Sequence, residues 1–307
     1  MPDPILALKA GLAALGAAAI LLLLGGALWR RPRPGLSSAV AALAVGAGLV
    51  LGWRVFGLWP HWPPHEDLDR FVCLLMPTAI LIELIAAIPR LPRWLLRLSV
   101  AVGAGPLLLY GSSYHDAPGP DSPGWQLREK IAIFAGLALA LAGNWAALNT
   151  LARRTSDQAV SYLLILCCAA TAIVLMMSGY ATGGPLGLPL AGALAGILLT
   201  SLVLPRRLNV TGAIGVGIVG LFGLIVIGYY FNELTAAHSL ALFFAPLLGW
   251  LPELPGVRRI NPRIRAVASV LLVTLPLMFV ASRAWEEFKA KAAPSGSPDE
   301  ITADDYK

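Results

Sequence analysis

The chain alternates blocks of roughly twenty apolar residues with short polar turns. Ten such blocks can be marked, at about 5–29, 36–59, 71–88, 95–111, 131–151, 159–180, 187–205, 210–231, 236–254 and 266–283. At a rise of about 1.5 Å per residue, about 20 helical residues cross a hydrocarbon core of about 30 Å. The pattern predicts an all-α polytopic membrane protein of about ten transmembrane helices, set out as five hairpins. The ninth block is short and ends in "LPELPG", where Pro252 and Pro255 oppose regular helix. A partial or re-entrant span is the alternative there. The first block has too long an apolar run for a signal peptide, and its basic cluster follows it rather than precedes it.

The turns carry an orientation signal. Those after blocks 1, 3, 5, 7 and 9 read "RRPRP", "PRLPR", "RRTSDQ", "PRRLN" and "GVRRINPRIR", and hold 13 Arg or Lys residues. The alternate loops hold three, Arg70, Arg128 and Lys130, among seven acids. The positive-inside rule puts the first set in the cytoplasm and both termini outside. The tail from 284 to 307 is polar and acidic, as expected of a helical turn or two followed by disorder.

One phrase occurs twice. "ELIAAIPRLPR" begins at Glu83, and "ELPGVRRINPR" begins 170 residues later at Glu253. At the same offset Pro92, Arg93 and Pro106 match Pro262, Arg263 and Pro276, and the pair Arg30 and Arg31 faces Arg206 and Arg207. A parallel 4+2+4 repeat follows, with copies at 1–111 and 187–283 around a hairpin at 131–180. Chance likeness in an apolar alphabet is the plain alternative.

Composition adds exclusions. The chain is 57% hydrophobic and 13% charged, with a mean hydropathy of +0.73. A soluble domain carries about 25% charge. The net charge of +6 lies in Arg pairs at block ends, so it marks membrane orientation and no nucleic-acid footprint. Cys73, Cys167 and Cys168 sit within apolar blocks and form no CxxC, so neither a disulfide framework nor a metal site is predicted. No cofactor motif is present, since the isolated GxG spellings follow no strand.

Candidate chemistry is sparse. An antiparallel hairpin turning near Leu91 sets Glu83 opposite Val100, one turn from Arg97; the second copy sets Glu253 near Arg265. A carboxylate at membrane depth costs at least ~2.5 kcal/mol at the centre, and such groups pair or line a cavity. The two pairs read as hairpin clasps, or as titrating gate residues. Arg54 is placed to snorkel to the outer headgroups, or to bind an anion from outside. Asn144 lies near mid-membrane, where an amide forms a helix–helix hydrogen bond or a substrate contact. On the outer side, "HWPPHEDLDR" and "YHDAPGPD" cluster His61, His65, Asp67, His115 and Asp116. Two prolines between His61 and His65 exclude a local helical His pair, and interfacial loops rich in His and Trp are ordinary.

Three function classes fit. The first is a permease for a small molecule or lipid, with Glu83 and Glu253 at a gate. The second is a non-catalytic subunit or scaffold that meets other membrane proteins. The third is a membrane-embedded enzyme using the outer-face histidines and acids. Short loops and the Arg bias favour the cytoplasmic membrane of a bacterium. A permease would show a water-accessible cavity reaching Glu83, and an enzyme would show the outer histidines converging.

Overall fold

The structure is a computed structural model that describes residues 4–28, 34–88, 91–112, 114, 124–179, 184–204, 208–231, 234–257 and 261–292. Among them every regular element is helical. The elements are α1 (Pro4–Leu28), α2 (Pro34–Val55), α3 (Asp67–Arg70), α4 (Met76–Ala86), α5 (Arg93–Leu109), α6 (Leu127–Arg154), α7 (Asp157–Met177), α8 (Gly187–Val203), α9 (Thr211–Tyr230), α10 (Ala236–Phe244) and α11 (Pro262–Ala292). Seven stretches are long and apolar enough to cross a membrane: α1, α2, α6, α7, α8 with the turn before it, α9 and α11. The architecture is that of a polytopic helical membrane protein.

The three other expected spans are not among these seven, each for a local reason. A π-helical turn, Phe71–Leu75, joins α3 to α4 directly before Pro77. Proline has no N–H and its ring crowds the carbonyl four residues back, and a widened turn accommodates both. The fourth span, α5, is 17 residues long and carries Arg93 and Arg97 in its first turns. The ninth is split. α10 lasts nine residues and passes into a 3-10 segment, Ala245–Glu253, that contains Pro246 and Pro252. By contrast, α5 and α11 continue through Pro106 and Pro276. The last helix outruns its expected end at 283, reaching Ala292 over 31 residues. Residues 293–307, His115, Asp116 and the Arg pairs at 30–31 and 206–207 lie outside the described residues.

α9 is the hub. Its span is 94% buried, against 17% for α11 and 28% for α1. It packs on α2, α4, α6, α7, α8 and α10. Its sequence, "TGAIGVGIVGLFGLIVIGYY", places glycine where neighbours press closest. At Gly215 a Cβ would overlap the Glu83 carboxylate. A second close packing joins α1 to α8, where Gly192 and Gly196 lie against the carbonyls of Gly11 and Leu15. Packing through small residues replaces the hydrophobic drive that is absent between helices in lipid. The outer faces of α1 and α11 remain apolar and exposed, with Leu8, Leu12, Leu275 and Phe279 turned outward, as lipid-facing helices require.

A polar chamber at the basic end of the bundle

Glu83 lies one turn before the end of α4 and is 1% exposed. Its two carboxylate oxygens accept from Arg97, from Nε at 2.9 Å and from Nη2 at 3.1 Å. This fork-to-fork arrangement is the strongest form of carboxylate pairing. The Arg97 guanidinium also lies over the ring of Trp145, 5.3 Å from its centroid. One arginine thus ties α4, α5 and α6 together. The second pair, Glu253 with Arg265, is looser: one bond of 2.9 Å, with Arg265 Nε buried and without a hydrogen bond. Glu253 sits at the end of a 3-10 segment, whereas Glu83 sits on an α-helix, so the two copies of the phrase have different backbones.

Glu83 and Arg97 form one wall of a cavity of about 810 Å³. It lies among α2, α4, α5, α6 and the N-terminal ends of α7 and α9. Arg93, Arg97 and Arg153 line it together with the carboxylates of Glu83 and Asp157. Three guanidiniums against two carboxylates leave a formal excess of one positive charge. Helical spacing explains the convergence. Arg93 and Arg97 are four apart on α5, and Trp145, Asn149 and Arg153 are four apart in turn on α6, so each set forms one stripe. The stripes belong to neighbouring antiparallel helices and face the same space.

The rest of the wall is fixed by local hydrogen bonds. Asp157 is the first residue of α7, and its Oδ2 accepts from the Val210 backbone N–H at 3.1 Å, joining α7 to the start of α9. Asn209 Oδ1 accepts from the backbone N–H of Thr211 at 3.0 Å and from its hydroxyl. Asn149 is buried and donates through Nδ2 to the Trp145 carbonyl at 3.0 Å, while its Oδ1 has no partner.

The remaining sequence candidates lie elsewhere. Asn144 donates to the Phe243 carbonyl at 2.7 Å, just before α10 passes into the 3-10 segment. Arg54 is exposed and stacks on Trp59, 4.1 Å from the ring centroid. His61 is exposed, with its ring 3.9 Å from Asp69, and Asp69 accepts from the His61 backbone N–H at 3.1 Å. His65 and Asp67 occupy the same loop and helix start, and the described part of His65's bonding is its carbonyl, which accepts from Arg70 at 2.7 Å.

Arg70, Arg93, Asn149, Arg153 and Asp157 are not among the site candidates the sequence offers. Arg70 is buried and donates to the carbonyls of His65, Leu108 and Tyr110, closing the C-terminal end of α5 onto α3. Helix ends leave such carbonyls without partners, and a guanidinium satisfies several at once. Arg93 and Arg153 stand where membrane orientation expects arginines, and their four-residue spacing from Arg97 and Asn149 is the signal that points to the chamber.

No protein-family model matches the chain, and no curated protein matches its sequence.

Proposed function

We propose that the protein is a permease for a small polar molecule or a lipid headgroup, with the chamber beside Glu83 as its solute site. The observation that supports this reading is the cavity itself. It is large, partly open, and lined by charge where α4, α5, α6 and the starts of α7 and α9 meet. At its inner wall Glu83 is buried within a helix, and such ionisable groups pair or line a pathway. A scaffold role leaves the cavity unexplained, and the outer-face enzyme reading draws no support from His61, whose exposed ring lies 3.9 Å from Asp69.

In this reading three further segments complete ten crossings. They are α3 with α4, α5, and α10 with its 3-10 extension. The basic turns lie in the cytoplasm of a bacterial cell, the termini lie outside, and the chamber opens inward. The paired phrases at Glu83 and Glu253 mark a parallel 4+2+4 duplication, and the units 1–111 and 187–283 rock about the middle hairpin. Glu83 and Arg97 form the inner gate, since opening α5 away from α4 exposes both charges to solute and water together.

The test is solute release from proteoliposomes loaded with a mixed pool of small metabolites, read by mass spectrometry. Selective depletion that slows in Glu83→Gln supports the permease. Equal retention of every solute, with Glu83→Gln altering stability alone, reduces the pair to a structural clasp.

A further inference from the structure

We infer that the cleft between α6 and α10, at the end of the bundle away from the charged chamber, is a binding site for one hydrocarbon chain of a membrane lipid. The inference needs only the membrane-spanning fold and stands apart from the permease reading.

The cleft has a floor and two walls. α6 and α10 each pack on α9 and leave between them a half-open cavity of about 290 Å³. Phe222, Ile225 and Val226 of α9, with Phe243 of α10, form the floor, and each is 5% exposed or less. Leu137 and Ala140 form the α6 wall, and Leu240 and Phe244 form the α10 wall. Ring contacts fix this shape. Phe222 meets the edge of Phe243 at 5.7 Å at the deep end, and Phe243 meets Phe244 at 5.2 Å. At the shallow end Tyr230 is held by Tyr114 at 5.7 Å and Trp125 at 5.5 Å. A concave, preformed and largely apolar lining is the usual character of a small-molecule site.

The surroundings and the size name the occupant. The mouth is continuous with the lipid-facing surface, since Leu240 and Phe244 on one rim and Leu139 beside the other are exposed. Water is a poor tenant, because it needs two or more polar partners and the floor offers apolar side chains. A helix from a partner protein does not fit. The cleft runs from Tyr230 to Phe222, about 12 Å along α9. A helix about 10 Å across needs roughly 900 Å³ over that length, some three times the space present. A single flexible chain does fit. The tyrosine hydroxyls of Tyr229 and Tyr230 stand at the shallow end, at the level where tyrosines meet lipid headgroups. The chain therefore enters past the tyrosines and points its methyl end toward Phe222.

The experiment uses full-length protein in phosphatidylcholine nanodiscs doped with a phosphatidylcholine that carries a diazirine within one acyl chain. After irradiation, labelled residues are mapped by mass spectrometry. Bulk lipid reaches exposed residues such as Leu275 and Phe279 of α11, but only a chain seated in the cleft reaches the floor. The inference predicts label at Ile225, Val226 and Phe243, and none at Leu221, which is fully buried one residue from Phe222. Ala140→Trp fills the cleft and should lower label on the floor by about 10-fold, with Leu275 and Phe279 unchanged. Ala236→Trp, at an exposed position on the mouth, should lower it as well without disturbing the core. Floor residues labelled no more than Leu221, or labelled equally in both variants and the parent, would overturn the inference. An unlabelled floor in nanodiscs that hold two copies of the protein would give the cleft to a second copy, and overturns it equally.

Discussion

Arg97 grips both carboxylate oxygens of Glu83, at 2.9 and 3.1 Å, where α4 and α5 meet beneath the chamber. The pair is buried on the carboxylate side and open to the cavity on the guanidinium side. It therefore both holds a hairpin and faces a solute.

Breaking one partner strands the other. Glu83→Gln leaves a guanidinium at membrane depth without its counter-charge, a loss of about 3 kcal/mol for a buried pair. Glu253→Gln gives up one bond rather than two and should cost less, about 1–2 kcal/mol, although Glu253 is buried as well. Thermal unfolding in nanodiscs should rank the two in that order. The double variant Glu83→Gln/Arg97→Met should recover most of the loss, since it removes both charges.

Gly215 is where α9 admits the Glu83 carboxylate. Gly215→Ala forces the pair apart or shifts α9, an overpacking cost of about 1–3 kcal/mol. Gly103, on the exposed side of α5, has nothing within contact of an added Cβ. Gly103→Ala should be neutral or slightly stabilising by helix propensity. Equal effects at the two glycines would contradict the packing described.

Arg70 satisfies three carbonyls with one side chain. Arg70→Met leaves the ends of α3 and α5 with unpaired acceptors and should cost about 2–3 kcal/mol. Hydrogen exchange should speed locally at the end of α5, around Leu108 to Ser112. Arg70→Lys should restore only part of the protection, because an ammonium lacks the planar fork.

The clasp residues were legible from sequence because a hairpin is a local object. Glu83 and Arg97 are 14 residues apart across one turn, and antiparallel helices bring such positions together. The chamber is not local. Its walls come from α2, α4, α5, α6, α7 and α9, and only packing around α9 sets them about one space. Arg93 and Arg153 were hidden by a sufficient explanation, since arginines at span ends are what membrane orientation demands. The prolines were visible, but not their effects. Pro77 follows a π turn and Pro246 lies in a 3-10 segment, while α5 and α11 run through Pro106 and Pro276. Whether a helix widens, tightens or continues depends on which neighbours can satisfy the freed carbonyls, as Asn144 does at Phe243.

The most direct measurement is the accessibility of a single cysteine in the chamber, at Ala142→Cys, in a background with Cys73, Cys167 and Cys168 replaced by alanine. A membrane-impermeant sulfonated maleimide would be applied to intact cells and to inside-out vesicles, with Leu139→Cys on the exposed face of α6 as the lipid-facing control. The permease account predicts labelling of Ala142→Cys from the cytoplasmic side, slower labelling of the same site from the opposite side, and no labelling of the control. Labelling from one side alone under every solute condition, or from neither, would contradict it.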